Sequence, residues 1–187
     1  MGKGENSRGA TLVEAALVFP ILILLIMSTL EIGLVFKDYL TISYISREGA
    51  RVGGIAGDDL EADCAILRGI GTVATAPDLA RISEVQIFKA DEAGNQGLTN
   101  VAHFVPGGDP QACTVPSAPG DGWEFDSIAW PPTSRQTTVG DLFDLDIIGV
   151  RVVMSRDWVT GFPPFRGTIQ IDESTVTRLE PEAFDLD

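Results

Sequence analysis

One stretch near the N-terminus limits what this chain can become: GATLVEAALVFPILILLIMSTLEIGLVF, from Gly9 to Phe36. Sixteen uncharged residues separate Glu14 from Glu31, and five more follow before Lys37. As a helix rising about 1.5 Å per residue, Glu14 to Phe36 spans about 33 Å, enough to cross a hydrocarbon core of about 30 Å. A single-pass anchor is the first expectation. A secretory signal peptide fits less well, because the apolar run is long, has Glu14 at its start and is followed by no Ala-x-Ala site. An unprocessed signal anchor is the stronger competing reading.

The carboxylate of Glu14 sets this anchor apart. An ionisable group at a membrane boundary is costly and calls for a named partner. Cleavage between Gly9 and Ala10 would create an ammonium group one helical turn from Glu14. That ammonium, from the same chain or a neighbour, would neutralise the carboxylate.

The run Arg8-Gly9-Ala10-Thr11-Leu12-Val13-Glu14-Ala15-Ala16-Leu17-Val18-Phe19-Pro20 resembles the processed leader of type IV pilin-like proteins. It is most similar to the TadE-like family, the pseudopilins of the tight-adherence (Tad, or Flp) pilus. Ser46-Arg47-Glu48-Gly49-Ala50-Arg51-Val52 resembles that family's Arg-Glu-Gly-Ala-Arg segment, and Thr177-Arg178-Leu179-Glu180-Pro181 looks family-like at the other end. The resemblance implies a leader over 1–9, cut after Gly9 by a membrane-embedded prepilin peptidase, with Glu14 at the fifth mature position setting register in assembly. It implies as partners that peptidase, other Tad pilins and pseudopilins, an inner-membrane assembly platform and the membrane itself. The major pilins of such systems are much shorter than 187 residues, so the implied role is that of a minor pilin.

The resemblance puts the N-terminus in the cytoplasm and the C-terminal domain outside it, on the cytoplasmic (inner) membrane or in a pilus. The count of basic residues leans the other way: Lys3 and Arg8 precede the helix, whereas Lys37, Arg47 and Arg51 follow it.

The expected organisation is α+β: leader 1–9, a transmembrane helix with its extension over 10–57, and an extracytoplasmic domain over 58–187 with one further helix and a small, mainly antiparallel sheet. Residues 1–51 hold five basic and five acidic groups, so the net charge of −14 belongs to residues 52–187, with eight basic groups against twenty-two acidic ones. Such a surface repels nucleic acid and anionic lipid and serves solubility.

Within the anchor, Pro20 removes a backbone donor and is expected to bend the helix. Glu31, about 25 Å beyond Glu14, is expected at the far interface, served by water or Lys37. Helical spacing continues through Tyr39, Ile42 and Ile45. The small residues Ser46, Gly49, Ala50, Gly53 and Gly54 offer close backbone approach, to the protein's own sheet before a neighbouring pilin.

Gly57 is expected to end this helix and Asp58 to open another, since Asp58 and Glu61 have capping-box spacing. Leu60, Cys64, Leu67, Ile70 and Val73 or Ala74 then recur at helical spacing up to Pro77. Ser83–Lys89 alternates as a strand, with Val85 and Ile87 on one side.

Residues 91–140, with seven Gly and six Pro, read as a long irregular segment containing short strands near Val101–Val105 and Trp123–Phe125. Two long strands follow, Leu145–Asp157 and Thr168–Arg178. The apolar connector Trp158–Phe165 joins them, by default buried against the helices.

Cys64 and Cys113 leave two readings open: a disulfide closing about fifty residues, or two buried thiols. No cofactor is expected. A metal site would need these cysteines with His103 and Asp109, and the spacing has none of the close pairs of a zinc motif. Asp141, Asp144 and Asp146 lack the glycine and distal Glu of a calcium loop.

Catalysis would rest on His103 with Cys113 or a serine, without a supporting motif. The expectation is therefore a non-enzymatic pseudopilin. Its rivals are a permanently anchored binding or adhesion domain that never polymerises and, behind that, a tethered hydrolase.

Overall fold

The computed structural model describes residues 5–115, 122–138, 145–161, 163 and 165–181, with side chains from Gly9 onward. The first helix, α1, is Glu5–Ala56 and continues through Pro20. By contacts the chain forms two compact units. One holds the described residues up to Lys37 together with Asp157–Gly167; the other holds Asp38–Arg156 and the residues from Thr168 onward.

In the first unit, α1 from Gly9 is long and apolar enough to cross a membrane, and its most apolar window is not buried by protein. Leu17, Phe19 and Leu25 are each more than 60% exposed. Side chains of this kind, set all round a helix, suit a hydrocarbon surrounding.

The second unit is built on a five-stranded antiparallel sheet in the order β3-β2-β1-β4-β5. The strands are β1 Ile82–Ala90, β2 Gln96–Phe104, β3 Trp123–Ile128, β4 Ile147–Asp157 and β5 Thr168–Arg178. The register pairs Val85 with Ala102 on one side and Val152 on the other, and Ile87 with Asn100 and Val150. Alternation then puts Val85, Ile87, Ile148, Val150, Val152 and Met154 on one fully buried face.

Two helical segments cover that face: residues 38–56 of α1, and α2, Ala62–Val73. A Cβ on Gly49 would lie 3.0 Å from Val150 Cγ1 and 3.2 Å from Ile70 Cδ1, and one on Gly53 would lie 3.0 Å from both Ile148 Cδ1 and Ile66 Cδ1. The small-residue face therefore packs on the protein's own sheet and on α2. Ser46 Oγ also lies 2.9 Å from Thr175 Oγ1 of β5.

Several local expectations change. The helix expected from Asp58 begins at Ala62, and no capping box forms. Asp59 instead closes a turn, its Oδ1 accepting the Glu61 N–H (2.9 Å) and its carbonyl the Ala62 N–H (2.8 Å). The Glu61 carboxylate reaches forward to Arg68 (3.0 Å), and Leu60 is left exposed. Gly57, at φ 57°, supplies the left-handed residue that ends α1. The helix expected to run to Pro77 stops at Val73, and a short helix α3, Ala76–Leu79, follows.

The segment 91–140 is more regular than its composition suggests, because it supplies all of β2 and β3. Asp91 makes the first hairpin, accepting the N–H groups of Ala93 (2.9 Å) and Asn95 (2.8 Å) at one carboxylate oxygen. Cys64 and Cys113 form a disulfide, with Cα atoms 5.5 Å apart. In the chain-entropy account, closing a loop of this length contributes roughly 3 to 4 kcal/mol.

Candidate functional site

The residues expected to carry function lie on α1. Gly9 and Ala10 sit within the helix, with Glu14 one turn on, and all three are exposed. A Cβ on Gly9 would meet no atom within 4 Å. Packing therefore does not demand glycine there, and glycine lowers helix propensity by about 1 kcal/mol relative to alanine.

Further along, Glu31 departs from expectation. It is 1% exposed, shielded by protein from the water expected to serve it, and its Oε1 accepts the Thr160 N–H at 2.6 Å. The donor comes from the β4–β5 connector, within the same compact unit. A charge-assisted bond from a backbone N–H reduces the cost of burying a carboxylate.

In the second unit Asp38 is fully buried and binds two guanidinium groups. Arg81 donates to Asp38 Oδ2 at 2.7 Å, and Arg156 donates to the same oxygen. Arg81 also donates to Asp78 Oδ1 at 2.7 Å. This cluster ties α1 to the α3–β1 junction and the end of β4.

A second buried group joins the start of α2 to the loop after β3. Asp63 pairs with Arg135, and Asn100 donates to Asp63 Oδ2 (2.8 Å) and to the Trp130 carbonyl (2.7 Å) while accepting the Trp130 N–H (2.7 Å). The Arg135 guanidinium also lies over the Trp130 ring, 4.6 Å from its centre.

Neither cluster was anticipated. A signal existed for the first: Asp38 is four and seven residues before Ile42 and Ile45, on the helix stripe that also carries Gly49. For the second, Asp63 and Arg135 are 72 positions apart, and no local pattern connects them.

The segment Arg47-Glu48-Gly49-Ala50-Arg51 divides by helix face. Gly49 and Ala50 are buried, whereas Arg47 and Arg51 are exposed. Arg51 holds Glu48 through two bonds, 2.9 and 2.6 Å. The hydrogen bond from Arg51 lowers the Glu48 pKa below the ordinary carboxylate value, against the opposing effect of partial burial.

Residues 9–51 match the family model described as TadE-like protein. The chain carries a TadE-like N-terminal segment. It takes in Gly9, Ala10, Glu14, Glu31, Asp38 and the Arg47–Arg51 run, and it ends where α1 is packed on the sheet. No curated protein and no solved structure matches the chain. The TadE-like segment thus joins an exposed apolar stretch to a stretch with a small-residue packing face.

The residues considered for metal or catalytic chemistry do not converge. His103 Nδ1 lies 3.1 Å from Asp126 Oδ2 on the neighbouring strand, Asp109 caps its own loop by accepting the Gln111 N–H at 2.9 Å, and Cys113 is consumed in the disulfide. Asp146 is taken up by Lys89 (2.6 Å) and by the Gln136 N–H (3.0 Å). Asp141 and Asp144 lie outside the described residues. Among the described residues no group of three His, Cys, Asp or Glu side chains is placed to hold a metal ion.

Proposed function

We propose that this chain is a TadE-like pseudopilin, or minor pilin, of a Tad (Flp) pilus, held in the cytoplasmic membrane by α1 and cut after Gly9 by a prepilin peptidase. The observation that carries the reading is the match over residues 9–51, lying on an exposed apolar helix with a carboxylate in its membrane-proximal turn. Cleavage frees the ammonium of Ala10. During docking that group pairs with Glu14 of an adjacent subunit, fixing axial register while apolar helix surfaces pack together. The charge pair satisfies a carboxylate that hydrocarbon would otherwise penalise.

The C-terminal domain, residues 58–187, faces the extracytoplasmic side in this reading. The Cys64–Cys113 disulfide supports that orientation, because disulfides persist in oxidising compartments. This outweighs the slight excess of basic residues after the helix. Partners follow from the family: the peptidase, other Tad pilins and pseudopilins, and the inner-membrane assembly platform. The chain's part is structural, and the peptidase's chemistry belongs to another protein.

Mass spectrometry of the membrane-extracted protein tests the reading. The expected mature chain begins at Ala10, and Gly9→Ala leaves it uncut. Because a Cβ at residue 9 meets nothing, a folding defect does not explain that loss. Mature protein that retains residues 1–9 in cells making normal fibres would instead favour a permanently anchored adhesion domain.

A further inference from the structure

The β4–β5 connector, Asp157–Gly167, has a pattern that strand connection alone does not require. Charges stand at its two roots, Asp157 and Arg166, and the residues between them are mostly apolar or aromatic. Val159 is 70% exposed, whereas Trp158, Thr160 and Phe165 are half-buried, so the expected burial of this loop against the helices is only partial. The rings of Trp158 and Phe165 lie 4.9 Å apart, and the backbone N–H of Trp158 donates to the Gly167 carbonyl at 3.4 Å, so the loop closes on itself.

The bond from Thr160 to Glu31 fixes where this loop meets α1. Glu31 is about 25 Å along the helix from Glu14, against a hydrocarbon thickness of about 30 Å. Apolar helix surface continues past the contact, with Ile32 and Phe36 each 60% exposed. The loop is therefore held beside the helix short of the end of the apolar run, not beyond it. Tryptophan, with an apolar ring and a polar N–H, favours the depth at which acyl chains give way to headgroups.

We propose that the connector is a membrane-contacting loop: Trp158, Val159 and Phe165 enter the headgroup–acyl boundary of the leaflet on the domain's side, and Arg166 faces lipid phosphate. The occupant of the apolar surface this loop leaves open, at Val159 and the outer sides of the half-buried Trp158 and Phe165, is the lipid surface that surrounds α1. Glu31 is then the positioning residue that holds the loop at this depth. The inference rests on the membrane-anchoring reading of α1.

The test reconstitutes the full chain in phosphatidylcholine vesicles carrying bromine on the upper acyl chain and follows tryptophan fluorescence. Trp123 and Trp130 are 0% and 2% exposed, so contact quenching should report Trp158. The expected result is quenching that Trp158→Phe abolishes and Val159→Asp weakens, with all three proteins floating with the vesicles. Equal quenching in the chain and in Trp158→Phe overturns the proposal, as does Trp158 quenched only by aqueous iodide. Trp158 shielded from both quenchers means that protein covers the ring, whether Phe165 and α1 of the same chain or a second copy, which also overturns it. Floating protein without bromine quenching removes this inference and leaves the anchor intact, whereas protein that fails to float removes both.

Discussion

Leu25 and Ile42 stand on the same helix and differ little in size, yet Leu25 is 62% exposed and Ile42 is 0% exposed. Up to Phe36, α1 presents apolar side chains on all sides. From Asp38 onward one face, with Ile42, Ile45, Gly49 and Ala50, is filled by the sheet and α2, while Leu40, Tyr44 and Ile55 on other faces stay exposed. The carboxylates follow the same division: Glu31 is met by a backbone N–H, Asp38 by two arginines. Burial by protein therefore does not track hydrophobicity along this helix. The most apolar stretch makes the fewest protein contacts, as expected where the natural surroundings are lipid. The less apolar stretch carries the core, because its small residues let sheet and helix approach.

The sharpest way to break this comparison is to remove the charge at Asp38. Asp38→Ala leaves Arg156, 8% exposed, without its carboxylate, and losing one partner of a buried pair costs roughly 3 to 5 kcal/mol. Asp172→Ala removes the carboxylate from a half-exposed pair with Arg151, where the expected loss is at most about 1 kcal/mol. Urea unfolding of the detergent-solubilised chain, followed by near-ultraviolet circular dichroism, compares the two. Equal losses would show that residues from Asp38 onward are not a protein core of the ordinary kind.

A glycine exchange sharpens the same contrast. Valine at Gly53 must displace Ile66 and Ile148, and overpacking of this kind costs roughly 1 to 3 kcal/mol. Valine at Gly33, where a Cβ meets nothing within 4 Å, should leave the unfolding midpoint of the domain unchanged. If Gly33→Val destabilised the domain as much as Gly53→Val, the apolar stretch would have to be packed against protein. The same unfolding assay reads both variants.

What was legible in the residues depended on how local the determining interaction was. The anchor, the intramolecular small-residue face and the strands β1, β4 and β5 follow from runs and periods, because one repeated environment writes a repeated pattern. Gly9, Ala10 and Glu14 are singled out by the family resemblance alone, not by any geometry they share. The capping box failed because Asp59 closes a turn with its own backbone and side chain, a competition that spacing does not reveal. The expected β2 and β3 were too short because of the high Gly and Pro content around them, although among the described residues most of those Gly and Pro fall outside the strands. Burial of Glu31 by Thr160 was out of reach, since it joins positions 129 apart.

The smallest expected effect concerns the charged face of the packed stretch. Arg51 bonds the Glu48 carboxylate and lowers its pKa in the folded state. A carboxyl group depressed by folding contributes stability that is fully present above its unfolded pKa of about 4.3 and is lost as pH falls through the folded value. Unfolding midpoints measured from about pH 7 down to about pH 3 should therefore show the parent chain slightly more stable than Glu48→Gln at neutral pH, with the two curves converging at the acid end. Convergence is the informative feature, because a neutral amide has no proton to take up and any remaining gap must come from packing. A gap that stayed constant with pH would mean that the Glu48–Arg51 pair adds no electrostatic stability, leaving Gly49 and Ala50 as the part of this run that holds the helix to the sheet.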